Sequence, residues 1–290
     1  MRESVVCNVC ENPGSFDRAS DVATVKSNVR KFADESFTVW RCSNCMSLHS
    51  KEAVELDAYY VDYPMTKQSA DFSTRLAMRN RLRFMVRHGL TAEHAILDYG
   101  CGKGLFVDFL NERGFHAVGY DPYVARFSDR CVLGEAFDYV TSQDVIEHVD
   151  APRELIGEYA RLLNSGGVLF VGTPNAAEIT LDRLDVFSME LHQPYHRHLL
   201  SEQALRQLCE RAGLRVVDVD HRFYYDTLFP MTNAQFIRRY IRKSGGLLDA
   251  GFEEPKVAMV LTSAELLFFG LAGYFFRAAG NMVAAIRRTS

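Results

Sequence analysis

The segment Ala95-Ile-Leu-Asp-Tyr-Gly-Cys-Gly-Lys-Gly-Leu-Phe-Val-Asp-Phe-Leu110 decides the fold that we predict for this chain. Its apolar start, Ala95 to Leu97, is typical of a buried parallel strand. Gly100, Gly102 and Gly104 then alternate with other residues, which indicates a tight turn leading into a helix. The segment therefore predicts a strand, a ligand-binding turn and a helix in direct succession.

The spacing of the glycines and the charge of Asp98 restrict the ligand of this turn. A dinucleotide-binding turn has the pattern Gly-x-Gly-x-x-Gly, whereas here the third glycine comes one residue early and Leu105 stands in its place. The Asp98 carboxylate at the strand end would repel a pyrophosphate but attract an ammonium or sulfonium group. S-adenosylmethionine carries both cations and no phosphate, so it is the ligand that the turn favours.

Three later segments extend this pattern. A second strand is predicted at Ala117-Val-Gly-Tyr-Asp-Pro122. Its Asp121 follows the turn by about 20 residues, the sequence separation at which a strand-end carboxylate accepts hydrogen bonds from ribose hydroxyls. The other two segments are Phe137-Asp-Tyr-Val-Thr-Ser-Gln-Asp-Val-Ile-Glu-His-Val149 and Gly166-Gly-Val-Leu-Phe-Val-Gly-Thr-Pro-Asn175. In this order, the four segments resemble the class I S-adenosylmethionine-dependent methyltransferase family over roughly residues 95 to 219.

The resemblance implies an α/β fold with a Rossmann-like, doubly wound, seven-stranded and mostly parallel sheet whose last strand is antiparallel. We expect a short third strand at Arg130 to Leu133, a long strand at Leu214 to Tyr225 and the last strand at Asn281 to Arg287. S-adenosylmethionine is the implied cofactor. Its expected contacts are Asp98, Gly100, Cys101, Gly102, Gly104, Asp121, Pro122, Ser142, Gln143 and, from a lid over the site, Tyr63.

The resemblance also restricts the acceptor. The Asn/Asp-Pro-Pro-Tyr motif of nucleic-acid amino-methyltransferases is missing after the fourth strand, and Glu147-His-Val149 instead resembles the small-molecule branch. We expect O-methylation of a sugar, a glycan precursor, a secondary metabolite or a lipid-linked intermediate. Sugar C-methylation stays open, because related enzymes share a zinc-binding N-terminus. An RNA methyltransferase and a non-catalytic cofactor-binding module are further alternatives.

A histidine-containing loop follows the fifth strand and provides candidates for a catalytic base. His192 and His196 lie in this loop, which should open over the active site, and a histidine with a pKa near neutrality can remove a proton from a hydroxyl. His148, beside the fourth strand, is a third candidate. The alternative is that these histidines only hydrogen-bond the loop into place.

Two Cys-x-x-Cys pairs lie near the N-terminus, Cys7 with Cys10 and Cys42 with Cys45. They supply the four thiolates of a closed tetrahedral zinc site, which has no open position for a substrate. The segment Phe37 to Arg41 predicts a strand leading into the second pair, as in zinc ribbons. We therefore predict a structural zinc ion; four unmetallated core cysteines are the alternative.

Length and composition set further limits. The 290 residues are enough for one α/β domain with an appendage, and we place a zinc ribbon at 1–55, a helical lid at 56–93 and a methyltransferase domain at 94–290. A net charge of -4 gives no overall attraction for nucleic acid. Seven cysteines and no apolar leader at the start of the sequence favour a reducing, cytoplasmic location.

Two stretches contain features that a core alone does not explain. Five arginines between Ser73 and His88 are expected to form a solvated helix face. An insertion at 226–280 contains an apolar stretch, in which Thr262-Ser-Ala-Glu265 predicts a capping box that starts a new helix. That helix is expected to pack on the core or in a homodimer. Peripheral contact with the inner face of a membrane through residues 257–279 is the alternative.

Overall fold

The structure, a computed structural model, describes residues 3–10, 14–61 and 63–289. Within these ranges, ten strands form two sheets, and eight α-helices pack around them. The strands are β1 (Asp21–Lys26), β2 (Ser36–Arg41), β3 (Leu48–Ser50), β4 (Ala95–Tyr99), β5 (His116–Tyr120), β6 (Phe137–Gln143), β7 (Leu163–Pro174), β8 (His198–Leu199), β9 (Leu214–Asp220) and β10 (Asn281–Arg288). The helices are α1 (Leu56–Tyr60), α2 (Phe72–Arg87), α3 (Leu105–Asn111), α4 (Pro152–Leu162), α5 (Glu202–Arg211), α6 (Ala234–Lys243), α7 (Val257–Thr262) and α8 (Ala264–Ala272).

The larger sheet has the strand order β5-β4-β6-β7-β10-β9. The first four strands pair in parallel, and β10 runs antiparallel to both of its neighbours, β7 and β9. Helices α2 and α3 cover one face of the sheet, and α4 and α5 cover the other. The predicted class, a Rossmann-like α/β sheet that is mostly parallel with an antiparallel last strand, is therefore confirmed.

Successive side chains of a central strand point to opposite faces of the sheet, and both faces are covered by helices. In β4, Ile96 packs with Phe84 of α2, while its neighbour Leu97 joins the cluster that contains Ile156 of α4. Both residues are fully buried, as expected for a parallel strand with helices on each side. Asp98 continues the alternation and points toward the α2 face, where it meets Arg81.

The strand count of seven was wrong, because the described part of the larger sheet contains six strands. The segment predicted as the third strand instead forms a 3₁₀ helix, Arg130–Gly134, whose first turn is capped by the Asp129 side chain. Only a short connection joins β5 to β6, and it is occupied by this turn and by the 3₁₀ helix Ala125–Phe127. Such a connection is too short for a full crossover helix and a further parallel strand.

The ends of some strands also differ from the prediction. β9 ends at Asp220 instead of Tyr225, because the Asp220 side chain accepts a hydrogen bond from the Arg222 N–H at 2.9 Å and turns the chain out of the sheet. The predicted last strand is confirmed and is one residue longer than expected. Strand β6 continues to Gln143 and so brings this predicted cofactor residue into the sheet.

The smaller sheet has the order β1-β2-β3-β8 and is antiparallel. Its first three strands lie in the predicted zinc ribbon, and the expected strand into the second cysteine pair is β2. Its fourth strand, β8, comes from the histidine-containing segment after β7, and His49 is paired with His198 across β3 and β8. The N-terminal residues and this later segment therefore share one sheet.

The insertion consists of α6, α7 and α8. The predicted new helix is present, but its N-cap is Ser263 and not Thr262. Thr262 is the last residue of α7, and its hydroxyl donates to the Ala258 carbonyl at 2.8 Å, whereas the Ser263 hydroxyl accepts from the Leu266 N–H. No helix within the described ranges is both long and apolar enough to cross a membrane.

Candidate active site

The glycine turn joins β4 to α3 in a backbone conformation that side chains rarely adopt. Gly100, Gly102 and Gly104 have φ angles of 74°, 54° and 78°. A Cβ atom on Gly100 would lie 2.3 Å from the Val145 side chain, and one on Gly104 would lie 2.3 Å from the ring of Phe127. A Cβ atom on Gly102 would meet only open space. The turn therefore presents bare backbone at the carboxyl edge of the sheet.

Asp121 lies directly after β5 and is fixed against this turn. Its carboxylate accepts hydrogen bonds from the Gly102 N–H and the Tyr123 N–H, each at 2.9 Å. These bonds orient the carboxylate without using all of its lone pairs, so it can still accept from two hydroxyls. Pro122 follows at an exposed position, and the half-buried Cys101 lies within the turn itself. The structure thus brings together the residues that were predicted around the turn.

Asp98 is buried at the end of β4 and forms an ion pair that was not anticipated. Nη2 of Arg81 lies 3.2 Å from Asp98 Oδ1 and 3.2 Å from the Thr141 hydroxyl. Burial raises the pKa of Asp98, and the neighbouring guanidinium opposes this rise. The expectation of a solvated arginine face on α2 was therefore wrong for Arg81, which lies over the ring of Phe106.

The carboxyl end of β6 places three polar residues in different surroundings. The hydroxyl of Ser142 lies 2.6 Å from that of Tyr159, on the α4 side of the sheet and away from Asp98. The side chain of Gln143 covers Gly172 on the α2 side, and its amide donates to Asp144 Oδ1 at 2.9 Å. Of the two predicted cofactor residues on this strand, only Gln143 shares the face of Asp98.

Asp144, which directly follows β6, is a further candidate residue of the site. It has a φ angle of 55°, in the left-handed region that aspartate enters more often than most other residue types. Its carboxylate accepts from Gln143 and, at 3.0 Å, from the hydroxyl of Tyr224. Burial raises the pKa of Asp144, although both hydrogen bonds oppose the rise. A half-buried carboxyl group with a raised pKa at the end of a central strand is typical of functional sites.

The three predicted catalytic histidines lie together in a buried aromatic cluster. The rings of His148 and His196 are 4.8 Å apart, and those of His192 and His196 are 5.3 Å apart. Tyr63, the predicted lid residue, contacts both His148 and His192. Tyr195 stacks on His192 at 4.5 Å. The cluster therefore joins the α1 region to the loop after β7.

Burial determines the charge state of these histidines. It lowers the pKa of His196 to about 4 and the pKa values of His148 and His192 well below their usual range. The histidines are therefore neutral at pH 7. Nδ1 of His196 donates to the Glu190 carbonyl at 2.6 Å, and Nδ1 of His148 lies 3.0 Å from the Tyr60 hydroxyl. A base with so low a pKa removes protons less effectively than one near neutrality.

Glu147 borders the same cluster. Its Oε2 accepts from the Thr173 hydroxyl at 3.0 Å, while its Oε1 is buried with no hydrogen-bond partner in the described part of the chain. Ligand atoms of Glu147, His148 and His196 lie within 4.8 Å of one another, a spacing that could hold a metal ion.

The four N-terminal cysteines converge as predicted. Cys7 Sγ lies 3.6 Å from Cys45 Sγ and 3.7 Å from Cys10 Sγ, and Cys10 Sγ lies 3.8 Å from Cys42 Sγ. These separations are too long for disulfides, and they match the edge of about 3.8 Å expected for a tetrahedron of sulfurs at about 2.3 Å from zinc. A hydrogen bond from Cys7 lowers the pKa of the Cys45 thiol to about 3.

A groove opens beside Asp98, between α2 and the chain that follows β9. Its volume is about 570 Å³, which is within the range of small-molecule sites. Gln143 and Phe170 from the sheet line its base, and Arg81 and Tyr224 lie in its wall. The amide of Asn80 ties the two sides together by donating to the carbonyls of Tyr224 and Asp226. The three clustered histidines do not line this groove.

Comparison with known proteins assigns the family. A sequence model of the family described as "Methyltransferase domain" matches residues 69–219, which include α2, the glycine turn, Asp121 and the strand-end residues of β6. The chain belongs to the class I S-adenosylmethionine-dependent methyltransferases. The fold of this methyltransferase and its glycine turn agree with that assignment.

Individual relatives match over shorter stretches. The methyltransferase is 32% identical over 117 residues to a ubiquinone biosynthesis O-methyltransferase of Chromobacterium violaceum, which is 33% of this chain and 50% of that protein. It is 29% identical over 160 residues to the mitochondrial ubiquinone biosynthesis O-methyltransferase of Rattus norvegicus, covering 44% and 46% of the two chains. The chain thus spans about half the length of the curated relatives it matches.

Solved structures match at lower identity. A SAM-dependent methyltransferase from Archaeoglobus fulgidus superimposes with a TM-score of 0.47 and 17% identity, covering 79% of this chain and 99% of that one.

Proposed function

We propose that this methyltransferase transfers a methyl group from S-adenosylmethionine to a hydroxyl oxygen of a small molecule. The observation that carries the proposal is the arrangement of Asp98 and Asp121 around the bare glycine turn. Asp98 offers a buried carboxylate to a cation, and Asp121 offers an oriented carboxylate to hydroxyls. This set of groups fits the ammonium, sulfonium and ribose of S-adenosylmethionine better than it fits a phosphate ligand.

Some residues of the chain bind the two substrates, and another accepts the proton of the acceptor. When bound, S-adenosylmethionine supplies a methyl carbon to which the acceptor oxygen forms its bond as the carbon–sulfur bond breaks, with that electron pair going to sulfur. The glycine turn and the two carboxylates fix the donor, while the groove aligns the acceptor. Alignment of this kind can supply a large part of the rate enhancement when an enzyme catalyses a reaction between two molecules.

The acceptor hydroxyl must lose its proton, and Asp144 is the base that we favour. Its partner Tyr224 lines the groove, and its raised pKa brings a carboxyl group closer to the operating pH of a base. His148, His192 and His196 are the competing bases, as the sequence suggested. They are neutral, but burial lowers their pKa values and so weakens them as bases.

We further propose that the four cysteines hold a structural zinc ion. The sulfur separations fit a tetrahedral site, and four thiolates leave no position open for a substrate. The zinc would stabilise the small sheet that contains β8. It has no direct part in methyl transfer.

The choice of a small hydroxylated acceptor rests on two observations. The groove has the volume of a small-molecule site. Both relatives described above carry the name ubiquinone biosynthesis O-methyltransferase, so those proteins methylate an oxygen atom.

The proposal is tested by calorimetric titration with S-adenosylhomocysteine, followed by transfer of a tritiated methyl group to a panel of phenols, sugars and RNA. We expect S-adenosylhomocysteine to bind and NAD to show no binding, and label to appear in a small hydroxylated acceptor as an ether. Asp144→Asn should abolish transfer while keeping S-adenosylhomocysteine affinity, whereas His196→Gln should retain most of the transfer. Binding of NAD alone, or label found only in RNA, would overturn the proposal.

A further inference from the structure

The groove is unusually rich in arginine for the site of a neutral acceptor. Arg79, Arg81, Arg83 and Arg87 of α2 line it, together with Arg222 after β9. Two aspartates, Asp220 and Asp226, also belong to the lining. The excess of cations indicates that the groove favours an anion.

Three of these arginines already have carboxylate partners. Arg81 pairs with Asp98, Arg87 lies 3.6 Å from Asp220, and Arg222 lies 2.6 Å from Asp226. Arg79 and Arg83 form no ion pair with any carboxylate in the described ranges, and both are exposed at the rim of the groove. Arg79 and Arg83 are one helical turn apart on α2, so both guanidinium groups can reach one anionic group.

The exposed end of the groove is apolar. Leu228 and Phe229 line it and expose 65% and 49% of their surface, and Phe229 contacts the exposed ring of Phe72 at 4.7 Å. Met231, two residues further along the chain, is also exposed, and its N–H donates to the Gly270 carbonyl of α8. We call Phe72, Leu228, Phe229 and Met231 the apolar rim. Exposed apolar surface beside a ligand groove is typical of a binding site.

The groove therefore combines three kinds of surface. It reaches Arg81 and Gln143 beside Asp98, where the methyl donor is proposed to bind. Arg79 and Arg83 flank Arg81 along α2, and Leu228 and Phe229 belong to the same lining. An acceptor that contacts all three surfaces has a hydroxylated head, an acidic group and an apolar chain.

We infer that the acceptor is an anionic amphiphile, in which a phosphate joins a hydroxyl-bearing head to an apolar chain. This inference rests on the proposed methyltransferase function and names the substrate class of the same site. Arg79 and Arg83 bind the phosphate through charge-assisted hydrogen bonds, and the apolar rim contacts the chain. The guanidinium groups therefore determine specificity without taking part in the chemical step.

The test measures binding of geranyl phosphate to the full chain saturated with S-adenosylhomocysteine, by calorimetry. Geraniol is the neutral match, inorganic phosphate lacks the chain, and vesicles containing an anionic phospholipid present the same charge on a surface. We expect geranyl phosphate to bind at least about tenfold more tightly than geraniol or inorganic phosphate. Geraniol cannot bind the two arginines through a phosphate, and inorganic phosphate cannot contact the apolar rim.

Matched variants separate the two contributions. The double variant Arg79→Ala/Arg83→Ala should lose about tenfold or more in affinity for geranyl phosphate while its affinity for geraniol stays unchanged. Leu228→Ser should lower the affinity for geranyl phosphate and leave the affinity for inorganic phosphate unchanged. Arg75→Ala is the control, because Arg75 lies on the same helix outside the groove and pairs with Glu112.

The outcomes distinguish this inference from the proposed function. Failure of the wild-type chain to bind S-adenosylhomocysteine would overturn both. If that ligand binds but geranyl phosphate and geraniol bind equally, or the double variant binds geranyl phosphate as the wild type does, the anionic acceptor is wrong. Binding to anionic vesicles without binding to soluble geranyl phosphate would assign the arginines to a membrane surface and would also overturn the inference.

Discussion

Arg81 of α2 and Asp98 of β4 form a largely buried ion pair with 3.2 Å between Nη2 and Oδ1. The pair joins the helix that borders the groove to the strand that begins the glycine turn. Arg81 is also held over the ring of Phe106, with 3.8 Å between the guanidinium carbon and the ring centroid. The charge of Asp98 therefore depends on a residue that is distant in the sequence.

Replacing Arg81 should weaken cofactor binding in a pH-dependent way. Without the guanidinium, burial and the charge of Asp121 both raise the pKa of Asp98, which therefore rises further. We expect Arg81→Gln to lose about tenfold or more in affinity for S-adenosylhomocysteine at pH 6, with partial recovery at pH 8 as Asp98 ionises. Calorimetry at the two pH values measures this. Arg75→Gln serves as the control, and an Arg81→Gln affinity that is equal at both pH values would contradict the explanation.

The glycine turn should not accept a side chain at Gly100. An alanine there would have both an unfavourable φ angle of 74° and a Cβ atom 2.3 Å from Val145, so we expect a loss of about 1–3 kcal/mol in stability and a large loss of cofactor affinity. Thermal denaturation and titration with S-adenosylhomocysteine measure the two effects.

Two companion variants make the test of Gly100 specific. Adding Val145→Ala removes the contact but not the unfavourable φ angle, so it should rescue stability only in part. Gly134→Ala is the control, because a Cβ atom there meets nothing within 4 Å. A stable Gly100→Ala chain with normal affinity would show that the turn has been misplaced.

The cysteine cluster should bind one zinc ion per chain. Cys45→Ser should lower the zinc content well below one and destabilise the fold by several kcal/mol, because binding of a structural zinc ion contributes directly to folding. Elemental analysis of the purified protein, together with thermal denaturation, checks both. Cys131→Ser keeps all four ligands and removes only an exposed thiol, so it should retain the zinc. A wild-type chain purified without zinc would refute the assignment.

The histidine cluster should make the fold less stable in mild acid. The pKa of His196 is about 4 in the folded chain, against 6.5 for an unperturbed histidine. Between these values the unfolded chain binds the proton more tightly, so the free energy of unfolding falls as pH decreases from 6.5 to 4. The slope for one histidine is at most about 1.4 kcal/mol per pH unit.

The buried Glu147 acts in the opposite direction. Its raised pKa favours the folded state at low pH, and that contribution is lost as pH rises through its folded-state pKa. The comparison is therefore made between wild type and His196→Gln, which keeps Glu147. Denaturant titrations at pH 5 and pH 7 should show a smaller pH effect in His196→Gln. The exposed His116→Gln should behave as wild type, and identical slopes in all three chains would contradict the prediction.

Much of the cofactor side of the site could be predicted because its residues are close in sequence to the strands that position them. The glycines, Asp98 and Asp121 all lie at the ends of β4 and β5, so the strand and turn pattern was sufficient to place them. Ser142 was assigned to the same edge, but alternation along β6 points it to the opposite face. A strict count from the buried Val140 would have detected this.

The remaining parts depend on contacts that the sequence pattern does not specify. Arg81 looked like one of five arginines on a solvated helix, and only the packing of α2 over β4 distinguishes it. The third strand was expected from the family pattern, but the short connection after β5 forms 3₁₀ turns instead. Asp144 did carry a local signal, because it directly follows a central strand and precedes Glu147. The low pKa values of the histidines follow from tertiary burial alone.

Because the small sheet includes β8, the first 55 residues do not form a domain that can be exchanged on its own. Strand β8 pairs with β3, the Ser50 N–H donates to the Arg197 carbonyl at 2.9 Å, and the Ser201 hydroxyl donates to the Cys45 carbonyl at 2.6 Å. Cutting the chain after residue 55 would therefore leave the segment that holds His196 without the edge on which it folds. A graft of the cysteine-containing part onto another methyltransferase would have to bring residues 190–201 with it.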